Sequence, residues 1–206
     1  MKNILILYSG GMDSTTALCK FRDKIKLAIS FNYGSKHNEQ EIKYAKINCK
    51  KLSIPHEIIN IDFNEIGIKS NLLKSGGAIP KNSYDKENMG KTIVPFRNGI
   101  MLSIAAAIAE SWGCKVILIS NHSGDHEIYP DCRPEFIENM NKALESGTSE
   151  RIQIYAPFTD LSKREIAEIG KRLNVDYSLT YSCYEGSEIP CGKCATCRER
   201  IEALSV

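Results

Sequence analysis

The stretch NILILYSGGMDSTTAL, residues 3–18, decides the fold. Residues 3–8 form a short apolar run suited to a strand buried on both faces. Gly10 and Gly11 interrupt it, and from about Ser14 a helical pattern begins. A strand passing through a glycine turn into a helix is the opening of a β-α-β unit. The amino terminus of such a helix presents unpaired N–H groups and a partial positive charge, so it attracts phosphate. Two glycines let the backbone close on an anion without a side chain intruding. Ser9, Ser14 and Thr15 add hydroxyl donors. Asp13 fits beside phosphate once a magnesium ion stands between them, because hard cations take carboxylate and phosphate oxygens together.

Outward from this stretch, strands and helices alternate. LAISFNY (27–33) reads as a second strand. A helix over about 39–52 sets Ile42, Ala45, Cys49 and Leu52 on one stripe, and HEIINIDF (56–63) is a third strand. Residues 74–91 are polar and rich in glycine, asparagine and lysine, the composition of a long loop. An apolar helix follows from about Gly99 to Trp112, then the strand VILIS (116–120). A helix carrying Phe136, Ile137, Met140, Ala143 and Leu144 leads to the strand IQIYAP (152–157). Ser162-Lys163-Arg164-Glu165 has the form of a capping box and opens a helix that buries Ile166, Ile169 and Leu173. This alternation predicts an α/β fold: an open, mostly parallel, Rossmann-like sheet with helices on both faces and its functional loops at the carboxyl ends of the strands. Residues 1–180 would form the domain that carries this phosphate-attracting loop, with a small cysteine-built segment, 181–206, packed on it as part of one unit.

Bulk properties narrow the partners. The 206 residues carry 27 basic and 25 acidic side chains, net +2, so no strong field favours nucleic acid or an anionic membrane. No apolar run approaches a membrane span or a signal-peptide core, and a cytoplasmic location is expected. Of eight cysteines, Cys19, Cys49 and Cys114 sit singly in apolar surroundings and read as core residues. Cys183, Cys191, Cys194 and Cys197 crowd one turn-rich stretch, TYSCYEGSEIPCGKCATCRERIEAL. Four thiolates in a small space suit a tetrahedral, structural zinc.

The first loop is not a Walker A motif, whose lysine and longer glycine spacing are missing. Ser-Gly-Gly-x-Asp-Ser after a first strand resembles the pyrophosphate loop (PP-loop) of the ATP pyrophosphatase superfamily, whose fold is that of the adenine nucleotide alpha hydrolases. That resemblance implies ATP split to AMP and pyrophosphate. A further segment, SGDHEIYPDCRPEF (123–136), brings Asp125, Asp131 and Arg133 together in a loop stiffened by Pro130 and Pro134. Such a set suits a flat heterocycle or a carboxylate, and equally an ordinary rigid loop with a local Asp–Arg pair.

YSGGMDSTTAL, FNYGSKH, VPFRN, YPDCRPEF and SCYEG…PCGKCATC, in this order, resemble the QueC family of the queuosine pathway, the 7-cyano-7-deazaguanine synthases. The likeness spans nearly the whole chain. It implies a ligase that forms C–N bonds, converting 7-carboxy-7-deazaguanine, ATP and ammonia into the nitrile preQ0. It also implies a cytoplasmic, zinc-binding homodimer that needs magnesium and acts on no nucleic acid directly. Carried onto matching positions, Tyr8, Ser9, Gly10, Gly11, Met12, Asp13, Ser14, Thr15, Thr16, Ala17 and Leu18 form the nucleotide segment. Asp13, Ser14, Arg97, Asp131 and Arg133 are the candidate catalytic residues. Arg97 would neutralise phosphate or the substrate carboxylate, and Asp131 and Arg133 would grip the deazaguanine, with Asp125 as a further contact. Cys183, Cys191, Cys194 and Cys197 would ligate zinc. His122 and His126 suit moving protons and equally a surface or loop-stabilising role, and Cys132 is expected to be structural. Asn32 stands where other forms of the family have aspartate. Three other readings stay open on sequence: the same adenylation joining deazaguanine to another amine such as a protein's, another PP-loop ligase acting on tRNA, and a non-catalytic nucleotide-binding module.

Overall fold

A computed structural model describes residues 2–80 and 89–205 of the chain. Of the loop expected over 74–91, residues 81–88 lie outside the described residues, and 74–80 carry neither helix nor strand. Five strands form one sheet: β1 (Ile4–Leu7), β2 (Ile25–Asn32), β3 (His56–Asn60), β4 (Val116–Leu118) and β5 (Gln153–Tyr155). Every pairing is parallel, and the order across the sheet is β3-β2-β1-β4-β5. The chain therefore builds outward from β1 to β3, then returns to add β4 and β5 on the other side. The order reverses between β1 and β4, where such sheets open a crevice beyond the strand ends.

Six helices accompany the strands among the described residues: α1 (Met12–Phe21), α2 (Asn38–Lys51), α3 (Arg97–Ser111), α4 (Pro134–Gly147), α5 (Lys163–Arg172) and α6 (Ala195–Leu204). Alternation along β1 divides them between two faces. Ile4 and Ile6 pack with Ala17 and Leu18 of α1, Ala45 and Cys49 of α2 and Ile166 of α5. Leu5 points the other way, into a core with Leu102 and Ala105 of α3 and Ile137 and Leu144 of α4. Such a strand, apolar on both faces, belongs in the middle of a parallel sheet.

The expected elements all form, with boundaries moved by a few residues. α1 begins at Met12 rather than near Ser14, because Gly11 serves as its N-cap. The capping box of α5 is present: Ser162 Oγ accepts from Glu165 N, and Glu165 Oε2 accepts from Ser162 N. Leu173 was expected in the core of that helix; it is instead its C-cap residue, 42% exposed. Cys49 and Cys114 are buried, whereas Cys19 is only partly so. Among the described residues no helix is long and apolar enough to cross a membrane.

Candidate active site

The turn between β1 and α1 has a preformed geometry. Gly10 adopts φ +83°, and a Cβ there would stand 2.4 Å from the Glu41 carbonyl oxygen and 2.9 Å from Ala45 N, both backbone atoms of α2. Only glycine fits both constraints. Ser9 Oγ lies 3.0 Å from Ser14 Oγ and accepts from Gly11 N at 3.1 Å. Ser14 Oγ and Thr15 Oγ1 both donate to the Gly11 carbonyl, at 3.2 and 2.7 Å. The Tyr8 hydroxyl steadies Thr15 Oγ1 at 3.0 Å. No side chain caps the helix start, so no side chain competes there with an anion for the first-turn N–H groups.

Charges from distant parts of the chain converge on this turn. Asp13 Oδ2 lies 3.6 Å from Lys163 Nζ, at the start of α5, and 4.0 Å from His122 Nε2. Lys163 also pairs with Glu199 Oε2 of α6 at 3.0 Å. Burial, then the neighbouring charges of Asp13 and Glu202, push the Glu199 carboxyl up to about 7. His122 Nδ1 accepts from Gly124 N at 3.1 Å. The ring proton therefore sits on Nε2, facing Asp13 and Asp125, whose Oδ2 is 3.7 Å away.

This turn forms one wall of a cavity of about 260 Å³ at the carboxyl ends of β1, β2 and β4. The lining also includes the aromatic side chains of Tyr33, Tyr129 and Tyr184, together with Arg97, His37 and Glu41. Arg97 Nη1 donates to the Tyr33 hydroxyl at 3.3 Å, and its guanidinium carbon lies 5.8 Å from the Tyr33 ring centroid. The Tyr33 hydroxyl meets His37 Nε2 at 3.1 Å, and that nitrogen is 3.7 Å from Glu41 Oε2. Tyr129 and Tyr184 join hydroxyl to hydroxyl at 3.0 Å. Burial, reinforced by the Arg97 charge, depresses His37 to about 3, so it is neutral near pH 7. Burial lifts Glu41 to about 8 against the opposing pull of Arg97.

Several lining residues carry a buried side-chain atom with no hydrogen-bond partner: Asp13 Oδ1, His37 Nδ1, Ser120 Oγ and Asn121 Oδ1. Buried polar atoms are nearly always satisfied in folded proteins, and a set of exceptions around one cavity marks a place for a ligand.

The structure sorts the residues singled out from sequence. Tyr8, Ser9, Gly11, Met12, Asp13, Ser14 and Arg97 line the cavity, as do His122 and Asp125. Gly10, Thr15, Thr16, Ala17 and Leu18 stand behind it: Thr16 Oγ1 pairs with the Tyr177 hydroxyl at 2.8 Å, and Ala17 and Leu18 are core. Asp131 and Arg133 lie outside the lining. Asp131 Oδ2 accepts from Asn98 N at 2.8 Å, capping the first turn of α3 from across the fold. Arg133 is exposed and donates from Nε to the His126 carbonyl at 3.1 Å. Cys132 lines the cavity, but burial pushes its thiol up and Asn98 Nδ2 holds its sulfur at 3.1 Å, a packing role. Asn32 bonds to Asn60 across β2 and β3 at 2.9 Å and does not reach the cavity.

Other lining residues carried no separate signal. Lys163 lay inside a capping box, Glu199 in a helix after the cysteines, and His37 and Glu41 at the start of α2. Only a charged residue on an otherwise core-facing side of α2 hinted at Glu41.

The four clustered cysteines converge. The Sγ atoms of Cys183, Cys191, Cys194 and Cys197 all lie within 4.8 Å of one another, and three of the four side chains are buried. Backbone N–H groups of Cys191 and Cys194 point at Cys183 Sγ and Cys191 Sγ, each at 3.3 Å. Contact between Cys183 and Cys194 draws the Cys194 thiol down and lifts that of Cys183, the behaviour of crowded thiols sharing charge. Such a group can hold a metal ion. The segment also closes the cavity. Tyr181 N donates to the Gly10 carbonyl at 3.1 Å, and Tyr181, Ser182, Tyr184, Thr196 and Glu199 all contribute to the lining.

Comparison with known proteins agrees with this geometry. The sequence model of the family described as "Queuosine biosynthesis protein QueC" matches residues 3–206. A 7-cyano-7-deazaguanine synthase from Porphyromonas gingivalis is 52% identical over 203 residues, covering 98% of this chain and 92% of the relative. Enzymes of the same name from Desulfotalea psychrophila and Caldicellulosiruptor saccharolyticus are 47% and 44% identical, each covering 99% of this chain and 94% and 91% of their own lengths. Among solved structures, the NMN synthetase of Francisella tularensis superposes with a TM-score of 0.53 at 15% identity, covering 91% of this chain and 68% of that one, a likeness of fold. Because the family match runs from the first strand through the cysteine segment, glycine turn and clustered cysteines included, the chain belongs to the QueC family.

Proposed function

We propose that this protein converts 7-carboxy-7-deazaguanine, ATP and ammonia into 7-cyano-7-deazaguanine. One observation carries the reading: a single cavity is lined both by the start of α1, suited to an anion, and by aromatic, hydrogen-bonding side chains. That brings a nucleotide's phosphates and a flat heterocyclic acid within reach of each other.

A carboxylate resists ammonia because its charge repels the nucleophile and oxide is a poor leaving group. In the first round a carboxylate oxygen attacks the α-phosphorus, the bond to the β-phosphate breaks, and pyrophosphate leaves. Ammonia then adds to the acyl carbon of the mixed anhydride, expels AMP and loses a proton, giving the amide. In the second round the amide oxygen attacks a second ATP and pyrophosphate leaves again. The nitrogen then gives up its two protons as the C–O bond breaks, releasing AMP and the nitrile. Each round is attack by oxygen on the same phosphorus, so one site serves both.

Ser9, Gly11, Ser14 and the first-turn N–H groups of α1 would hold the departing pyrophosphate, and Lys163 would neutralise its growing charge. Arg97 is suited to orient the substrate carboxylate. His122, with Nε2–H turned toward Asp13 and Asp125 and Nδ1 taken by Gly124 N, would orient those carboxylates. Asp13 Oδ1, buried and unpartnered, fits a magnesium ion, which would link Asp13 to the phosphates and withdraw charge from them. The cysteine cluster fits zinc: four thiolates at zinc–sulfur distances of about 2.3 Å leave sulfurs roughly 3.8 Å apart, within the spread that the four Sγ atoms show. With all four positions filled by protein, that ion is structural, and Cys183, Cys191, Cys194 and Cys197 hold the wall of the cavity in place. Residues 1–180 and 181–206 then act as one unit. A homodimer in the cytoplasm is the assembly and setting that the family resemblance supports.

Incubation with 7-carboxy-7-deazaguanine, ATP and ammonium, followed by mass analysis, tests the reading. The expected product is the nitrile, with carboxylate-derived labelled oxygen appearing in AMP. A labelled base that never passes oxygen to AMP, or a product joined to a protein amine or tRNA, would replace this function with another.

A further inference from the structure

The cavity's carboxylates fall into two groups. Asp13, Asp125 and Glu199 gather around His122 and Lys163 beside the phosphate turn. Glu41 lines the same cavity but faces His37 instead of His122 or Lys163, and its side chain is 18% exposed. Its neighbours fix it without consuming it. His37 Nε2 stands 3.7 Å from Oε2 and is held in turn by the Tyr33 hydroxyl at 3.1 Å, which Arg97 Nη1 holds at 3.3 Å. His37 Nδ1, in a side chain about 95% buried, has no partner. Burial lifts this carboxyl to about 8, so it rests mainly protonated near pH 7, and a ligand that supplies two donors would stabilise its charged form.

The proposed substrate supplies them. Its N1–H and 2-amino group form an edge of two parallel donors, the spacing a carboxylate meets with both oxygens, much as it meets a guanidinium. Asp131, the residue the sequence suggested for such a grip, is committed to capping α3. We propose that Glu41 reads the substrate's base, accepting N1–H and the 2-amino group on its two oxygens, with His37 and Tyr33 as positioning residues and Arg97 balancing its charge. This rests on the function proposed above and names the residue that sets its substrate specificity.

The test compares 7-carboxy-7-deazaguanine with its analogue lacking the 2-amino group, in wild type, Glu41→Gln and Glu41→Asp. A site built to receive an amino group rejects a ligand without it, by about 10²-fold or more in kcat/KM. In Glu41→Gln an amide NH2 faces one of the substrate's donors. Its kcat/KM for the normal substrate should fall roughly 10²-fold, chiefly through KM, and its preference for the 2-amino group should shrink to within about threefold. Calorimetric binding of the base without ATP should weaken in parallel. Glu41→Asp, which keeps both acceptors, should bind more weakly yet retain the preference, so lost discrimination in Glu41→Gln alone cannot come from a damaged fold. If wild type turns the substrate over and Glu41→Gln still discriminates, or loses kcat with KM and binding unchanged, Glu41 does not read the base and the function stands. If wild type makes no nitrile, the function fails and this inference fails with it.

Discussion

Replacing Gly10 by alanine puts the strongest demand on the phosphate turn. A residue with a Cβ at φ +83° enters the left-handed region at a cost of about 1–2 kcal/mol. The new methyl would stand 2.4 Å from the Glu41 carbonyl oxygen and 2.9 Å from Ala45 N. Both are backbone atoms of α2, so relief requires the helix or the turn itself to shift, and overpacking of that kind costs about 1–3 kcal/mol. Together the two effects predict a loss of about 2–5 kcal/mol, or roughly 4–20 °C in Tm for a chain of this size. A shift of the turn would also strain the bond from Tyr181 N to the Gly10 carbonyl and displace the phosphate-binding groups, and misplacements of about 1 Å can cost on the order of 10²-fold in rate. Urea unfolding and pyrophosphate release measure the two consequences. Gly147→Ala is the control: it ends α4, and nothing lies within 4 Å of its added Cβ, so it should be neutral or slightly stabilising. If Gly10→Ala unfolds within 1 kcal/mol of wild type, by the scale of ordinary surface changes, and releases pyrophosphate normally, the close approach of the turn to α2 has been misjudged.

Lys163→Met should slow pyrophosphate release about 10²–10³-fold and raise the KM for ATP, since it removes the cation that meets Asp13 at 3.6 Å; an unchanged rate would take the lysine out of phosphate binding. Asp13→Ala should stop pyrophosphate release while leaving the fold intact, because Lys163 keeps its pair with Glu199 at 3.0 Å; unimpaired turnover would remove Asp13 from magnesium binding. Cys194→Ser should lower zinc content below one per chain and loosen the wall formed by Tyr181 and Tyr184; structural zinc contributes on the order of 10 kcal/mol, so full stability with stoichiometric metal would refute the ligand set. For Glu41, the folded carboxyl at about 8 lies above its ordinary value of 4.5. Its contribution to stability is therefore fully present below about pH 4.5 and is lost as pH rises through 8. Chemical denaturation across that window should show wild type declining more steeply than Glu41→Gln, and parallel curves would count against the burial.

The fold was legible where local pattern and packing coincide. The run from Ile4 to Leu7, the glycine pair and the helix after it needed no distant information, and neither did the Ser162–Glu165 box or the spacing of Cys191, Cys194 and Cys197. Residue roles set by distant contacts were harder to read. Asp131 looked like a ligand because it sat beside an arginine and prolines, but its acceptor is used by Asn98, thirty-three residues earlier. Lys163 and Glu199 have ordinary helical surroundings in sequence, and their meaning comes from meeting Asp13 across the fold. Periodicity identifies which face of a helix is apolar but not which end of which strand it will overhang. His37 and Glu41 were hidden in that way.

The bond between Tyr181 and Gly10 has a consequence for biosynthesis. Synthesis proceeds from the amino terminus, and early segments can begin folding while later ones are still being made. The sheet order can be laid down once β5 has emerged, yet the pocket's lining is complete only once residues 181–199 have followed. A stalled nascent chain ending near Thr180 would hold the strands and the glycine turn with that lining unfinished. Loading of the proposed metal would then be a checkpoint on maturation, and cells starved of it should accumulate chains with an ordered sheet but no working pocket.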